Sequence, residues 1–149
     1  MLRTMFLLTA IGLLHASLAL SDEEKSLGKD SLAGTWKLTS VAINSQSLSM
    51  ENLQEARLVV QGPKYSLVLG DIRLEMTHVI HADKQPKAMD LTIAEGPEKG
   101  NVFRAIYKLE GDKLTVCRNI KPDLERPSEF ATKPDTGLML VVWQRLLDE

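Results

Sequence analysis

Few residues of this 149-residue sequence have the chemistry to act as ligands, bases or nucleophiles: three histidines, one cysteine and scattered carboxylates. His78 and His81 stand an odd number of positions apart, so on a β-strand they point to opposite faces and cannot share a metal ion. His81, close to Asp83, reads as part of a solvated turn. A nucleophile–base–carboxylate triad built on His78 lacks partners at any recognisable spacing. The patterns G-x-S-x-G and H-E-x-x-H, a phosphate-cradling glycine loop and an EF-hand are all missing. The lone Cys117 excludes an intrachain disulfide framework and a cysteine-rich metal site, and it reads as a small buried hydrophobe. No catalytic residue, metal or cofactor is expected, and the chain does not read as an enzyme.

Binding chemistry is better represented, by polar side chains in phase with an apolar alternation. Arg118 follows Leu114 and Val116 at period 2, His78 follows Leu74 and Met76, and Tyr65 and Tyr107 share faces with Leu67 and Leu109. A charge or hydroxyl that faces an interior must find a partner or lose free energy. Tyr65, Met76, His78, Phe103, Tyr107 and Arg118 are therefore the candidate ligand-binding residues, with Arg118 and Tyr107 as polar anchors. Leu67, Leu74, Leu91, Val116 and Leu140 are expected beside them as lining. The competing reading has the strands run past the core, so that Arg118 and His78 reach solvent at a rim. Asp90, a carboxylate inside a strand, reads as a water-facing charge that guards against edge pairing. Glu95–Lys99 reads as a charged turn.

The elements that must position these residues are strands. Turn signals recur at Gly62-Pro63, Gly70-Asp71, Asp83–Pro86, Gly96-Pro97, Gly111-Asp112 and Pro122–Gly137, and period-2 runs lie between them. Eight strands are predicted: 35–43, 56–61, 64–69, 72–80, 88–93, 102–110, 113–120 and 138–145. One short helix, Ser49–Glu55 with Ser49 as N-cap, is predicted after the first strand. The short links suit antiparallel hairpins, and no crossover helix is visible. An up-and-down antiparallel barrel is the expected all-β architecture, because closure removes exposed edges; a two-sheet sandwich is the alternative.

The N-terminus carries a different signal. Arg3 precedes an apolar run from Met5 to Leu14, and small residues Ser17 and Ala19 follow at the −3 and −1 positions of a cleavage site. That is the layout of a secretory signal peptide, residues 1–19, cleaved near Ala19. The rival is a retained anchor, but Met5–Leu20 is shorter than the roughly 20 residues that cross a bilayer. His15 leaves with the peptide. Residues 20–31 read as a flexible polar leader and 32–146 as one barrel domain, exported and monomeric, with no membrane span after cleavage. Eighteen Lys and Arg against 20 Asp and Glu leave a net charge of −2, which argues against a nucleic-acid partner.

Gly34-Thr35-Trp36 opens the first strand and Trp143-Gln144-Arg145 closes the last. A Gly-x-Trp at the start and an arginine near the end resemble the lipocalin and fatty-acid-binding (calycin) pattern. That resemblance implies that Arg145 packs on Trp36 beside Gly34 and shuts the narrow end of a lipocalin-like barrel. Leu32–Lys37, Lys87–Leu91, Glu95–Gly100, Ile106–Asp112 and Arg126–Phe130 ahead of Lys133-Pro134 resemble a family of small uncharacterised lipocalin-like domains abundant in planctomycete bacteria. This second resemblance implies fold and export and brings no activity with it. Thr-Asp-Tyr on a middle loop is missing, and Leu146-Leu147 follows Arg145 where the carboxylate-holding Arg-x-Tyr pair would stand. Two functions remain open. One is a module that holds a small apolar or amphipathic ligand in the barrel; the other is an interaction or envelope-associated domain that acts through rim loops, chiefly Lys121–Gly137, around a filled core.

Overall fold

A computed structural model describes residues 31–147, and the expected signal peptide and nearly all of the leader lie outside the described residues. Nine strands follow one another: β1 (Gly34–Ile43), β2 (Gln46–Ser47), β3 (Arg57–Gln61), β4 (Lys64–Leu69), β5 (Ile72–His81), β6 (Ala88–Ile93), β7 (Val102–Glu110), β8 (Lys113–Asn119) and β9 (Leu138–Arg145). Every pairing is antiparallel, and each strand from β3 to β8 pairs with its successor. β1 pairs with both β3 and β9, so one sheet closes on itself as an eight-stranded barrel, with the two-residue β2 added at β1. The sandwich alternative is thereby excluded.

β1 can serve two neighbours because it bends. Its register against β9 shifts between Leu38 and Ser40, a bulge at Thr39 whose hydroxyl donates to the Val142 carbonyl at 3.0 Å. The extra residue lets both Leu38 and Val41 turn inward, where both are buried. β2, which the sequence reading missed, exists because Asn44 and Ser45 both take positive φ (52° and 67°) and form a tight two-residue turn. The Asn44 side chain then accepts from the Gly137 amide at 2.7 Å, and Ser45 is held by Thr132.

The predicted helix at Ser49–Glu55 is not formed. The segment is a run of turns held by single i→i+3 bonds, Leu53 N–H to Met50 O and Ala56 N–H to Leu53 O, each 3.0 Å. Seven residues are too few to offset helix nucleation, and Met50 and Leu53 gain more by packing on the barrel.

Inside, the core is layered from Trp36, Leu58 and Leu114 at the end where β1 begins to Met76 and Leu91 further along, all nearly solvent-free. Leu140, expected inside, is a correction. It pairs with Cys117 and Ala42 on the outer surface, while Met139, Val141 and Trp143 face in. In a stretch as uniformly apolar as 138–143 the period alone cannot tell the two faces apart.

Candidate functional site

At the end of the barrel marked by the β4–β5 hairpin, the interior opens into an apolar mouth of about 310 Å³. β1 supplies Leu38 and Val41, β4 and β5 supply Leu67, Leu69, Ile72 and Leu74, and β9 supplies Met139, Val141 and Trp143. Two charged side chains line it: Arg118 of β8 from inside the barrel, and Arg57 at the start of β3, whose Nη1 donates to the Gln54 and Ala56 carbonyls at 3.0 Å. Below, a smaller void of about 30 Å³ is shared by Arg118, Tyr65, Met76, Leu91 and Val116. That is room for about one water.

Arg118 is partly buried. Its guanidinium lies 4.3 Å over the Phe103 ring, and one Nη1 hydrogen is donated to the Asn119 carbonyl at 2.9 Å. Among the described residues it takes part in no ion pair. Arg126 and Arg145, by contrast, each hold a carboxylate, Asp90 at 2.7 Å and Asp112 at 3.1 Å. Burial lowers Arg118's proton affinity, with the neighbouring Tyr65 opposing, yet an arginine stays charged in a protein. Burial pushes the Tyr65 phenol up, only partly offset by Arg118, so Tyr65 presents a neutral hydroxyl to the void.

The six candidate residues do not form one site. Tyr65, Met76 and Arg118 meet at the void, with Phe103 stacked on Arg118. His78 and Tyr107 line a separate concavity of about 480 Å³ at the opposite end, beside Leu32 and Lys87. There the His78 Nδ1–H donates to the Pro63 carbonyl at 3.1 Å, and its ring tilts against Tyr65 at 5.9 Å between centroids. Period 2 gives the face of a side chain but not its height along a tilted strand, which is why a residue two positions from Met76 leaves the site.

That same end holds the clasp between the chain's extremities. Arg145 Cζ sits 4.2 Å over the Trp36 ring, and the guanidinium donates to the carbonyls of Ser31 (2.8 Å) and Ala33 and to Asp112. Trp36 is fully buried and donates Nε1–H to Leu32 O at 2.9 Å. Gly34 takes a φ of 131° beside it, and a Cβ there would stand 3.4 Å from Arg145 Nη1.

Two readings of polar residues are corrected on the outer wall. His81 belongs to β5, not to a turn, and its Nε2 meets Asp90 at 3.0 Å; Asp90 is bonded on its other oxygen by Arg126. Burial raises the Asp90 carboxyl, but the bonds from His81 and Arg126 outweigh it and leave it below its ordinary 3.8. A depressed carboxylate stabilises the fold fully above its ordinary value and loses that effect as pH falls through the folded value. Urea unfolding should therefore show stability dropping as pH falls below about 4, with a shallower drop in Asp90→Asn. An unchanged acid limb in that variant would assign the drop elsewhere, for instance to Glu75, which Ser66 and Arg73 hold down.

A larger concavity of about 500 Å³ lies on the outer wall among Lys64, Arg73, Glu75 and Glu95. Two of its charges are already engaged, since Glu75 accepts from Ser66 and pairs with Arg73 at 3.2 Å. The sequence offered no sign of Trp143 in the mouth, nor of Arg126 on the wall. Among the described residues no group of His, Cys, Asp and Glu is arranged to hold a metal ion, and no helix is long and apolar enough to cross a membrane. No family model, curated protein or solved structure matches the chain.

Proposed function

We propose that the protein is an exported, lipocalin-like binding domain that takes a small amphipathic molecule, apolar body in the barrel mouth and anionic group against Arg118. The observation that carries this reading is Arg118 itself, a partly buried cation without a carboxylate partner among the described residues, at the floor of an apolar cup. Withdrawing an unpaired charge from water is unfavourable, and an incoming anion would offset that cost. A volume of about 310 Å³ stands at the small end of ligand pockets, which run from roughly 300 to 1,000 Å³, so a compact ligand is favoured over a long lipid. Export rests on the signal-peptide layout of residues 1–19. The lipocalin-like plan rests on the eight-stranded up-and-down closure and the Trp36–Arg145 clasp. The rim-loop reading is weakened because residues 121–137 are bonded along the outer wall instead of standing free at the rim.

Trp143 in the mouth provides the assay. Octanoate should quench or shift tryptophan emission saturably, and octanol of the same length should bind at least about tenfold more weakly, since a bond to a charged group contributes about 1.5–3 kcal/mol. Equal affinity for the two would remove Arg118 from the site. A flat response to both, with no small molecule retained in native mass spectrometry of protein from its own host, would end the carrier reading.

A further inference from the structure

Three apolar residues of the outer wall are buried although they face away from the core: Ala88, Ile106 and Cys117. Residues 121–137, the link between β8 and β9, run down the wall over them. Both ends of this segment are tied down. Asp123 N–H donates to Val102 O at 2.7 Å and Arg104 to Leu124 O at 3.2 Å near its start. Thr132 meets Ser45, and Asn119 donates to Thr136 O at 3.1 Å, near its end.

The middle is held differently. No backbone ladder joins it to the sheet, and Arg126 does most of the holding. One Nη1 donates to the Met89 and Ala105 carbonyls at 3.0 and 2.9 Å, and Nη2 to Asp90 at 2.7 Å. Beyond it, Pro127 is buried, and the polar contacts are few: Cys117 Sγ to Ala131 O at 3.7 Å, and Lys108 at 5.0 Å from the Phe130 ring. A concavity of about 360 Å³ remains between Arg126–Ser128, the Lys84–Pro86 link and Ile106, so the segment is not close-packed on the wall there. Among the described residues Asp90 bonds His81 from β5 and Arg126 from the segment, and Arg104 stands opposite it in register on β7.

We infer that residues 121–137 form a latched strap, with the Arg126–Asp90 pair as the latch, which opens locally while the barrel stays folded and thereby controls access to Cys117 and the wall of β6–β8. Regions joined to the rest by few backbone hydrogen bonds open at a fraction of the global unfolding free energy. Closed, the strap buries the thiol, keeping it protonated and unreactive. The inference does not depend on any ligand in the mouth.

Cys117 is the reporter. The full chain is labelled with a disulfide reagent such as DTNB at constant pH, in increasing urea below the unfolding transition. Strap opening predicts a labelling rate nearly independent of urea in the wild type, because little surface is exposed. A rate that climbs with urea in step with global unfolding overturns the strap, and this arm needs no variant. Asp90→Asn should label at least about tenfold faster than wild type, more than its change in global stability accounts for. Arg126→Lys, which keeps the charge but not the three-way bonding, should fall between them. Labelling in Asp90→Asn that is unchanged, or raised only as much as global unfolding is raised, overturns the latch.

Discussion

Replacing Arg118 by Met raises the thermal midpoint and at the same time abolishes the preference for anionic ligands. The two effects share one cause. The guanidinium sits between an apolar mouth and a small void, stacked on Phe103 and donating to the Asn119 carbonyl, but without a counter-charge among the described residues. A buried charge replaced by a well-packed apolar side chain of similar reach often stabilises a protein, by about 1–4 kcal/mol for full burial. Arg118 is only partly buried, so about 1 kcal/mol is the reasonable expectation, a shift of a few degrees in a domain of this size. Ligand affinity moves the other way. Truncating one partner of a desolvated charge pair costs about 2–5 kcal/mol, so octanoate binding should weaken by on the order of a hundredfold while octanol is little affected. Calorimetric melting and the Trp143 titration measure the two halves separately. A lower midpoint in the variant would mean that the Phe103 stack and the Asn119 bond already compensate the charge, leaving no deficit for a ligand to fill.

A residue held at a cost in the free protein is the usual mark of a binding site, because function rather than stability selects it. The same logic separates Arg118 from Arg126 and Arg145. Arg126 and Arg145 are tied to Asp90 and Asp112 and to backbone carbonyls, so each has a structural task that is complete without a ligand. Replacing either should only destabilise.

Much of the barrel was legible because alternation and turn chemistry are local. Ile72–His81 and Val102–Glu110 carry their period in their own residues, and Gly70-Asp71 and Gly111-Asp112 mark their hairpins, so strand bounds agree with the structure to within a residue or two. What depended on distant partners was not legible. The Thr39 bulge exists only because β1 must satisfy β3 and β9 together. Asp90 stood out as an acid in a strand, but its partner lies 36 residues away in a proline-punctuated link with no period of its own. Tyr65 and Arg118 were recognised as inward-facing from phase alone, whereas their meeting at one void follows from strand tilt and register, which phase does not carry. His78 and Tyr107 share the inward phase but lie toward the opposite end for the same reason.

Truncating Trp36 should cost more than any other single change in the barrel. The indole is fully buried, donates to Leu32 O, and forms the floor on which Arg145 lies. Trp36→Ala removes its buried area and leaves a cavity where β1 must pair with both β3 and β9, an expected loss of about 3–5 kcal/mol in urea unfolding. Arg145→Met keeps the stem but loses the bonds to Ser31, Ala33 and Asp112, and should cost less, about 1–3 kcal/mol. If the stack is what joins the two ends of the chain, the pair is coupled. The double variant should then be less destabilised than the sum of the two by about 0.5–2 kcal/mol, the range of a cation–π contact. Strict additivity would show that Trp36 acts only as core and Arg145 only as a backbone clamp. Barrel closure would then rest on the β1–β9 ladder alone, and Trp36→Phe, which keeps an aromatic face but not the indole N–H, should behave no differently in the presence or absence of Arg145.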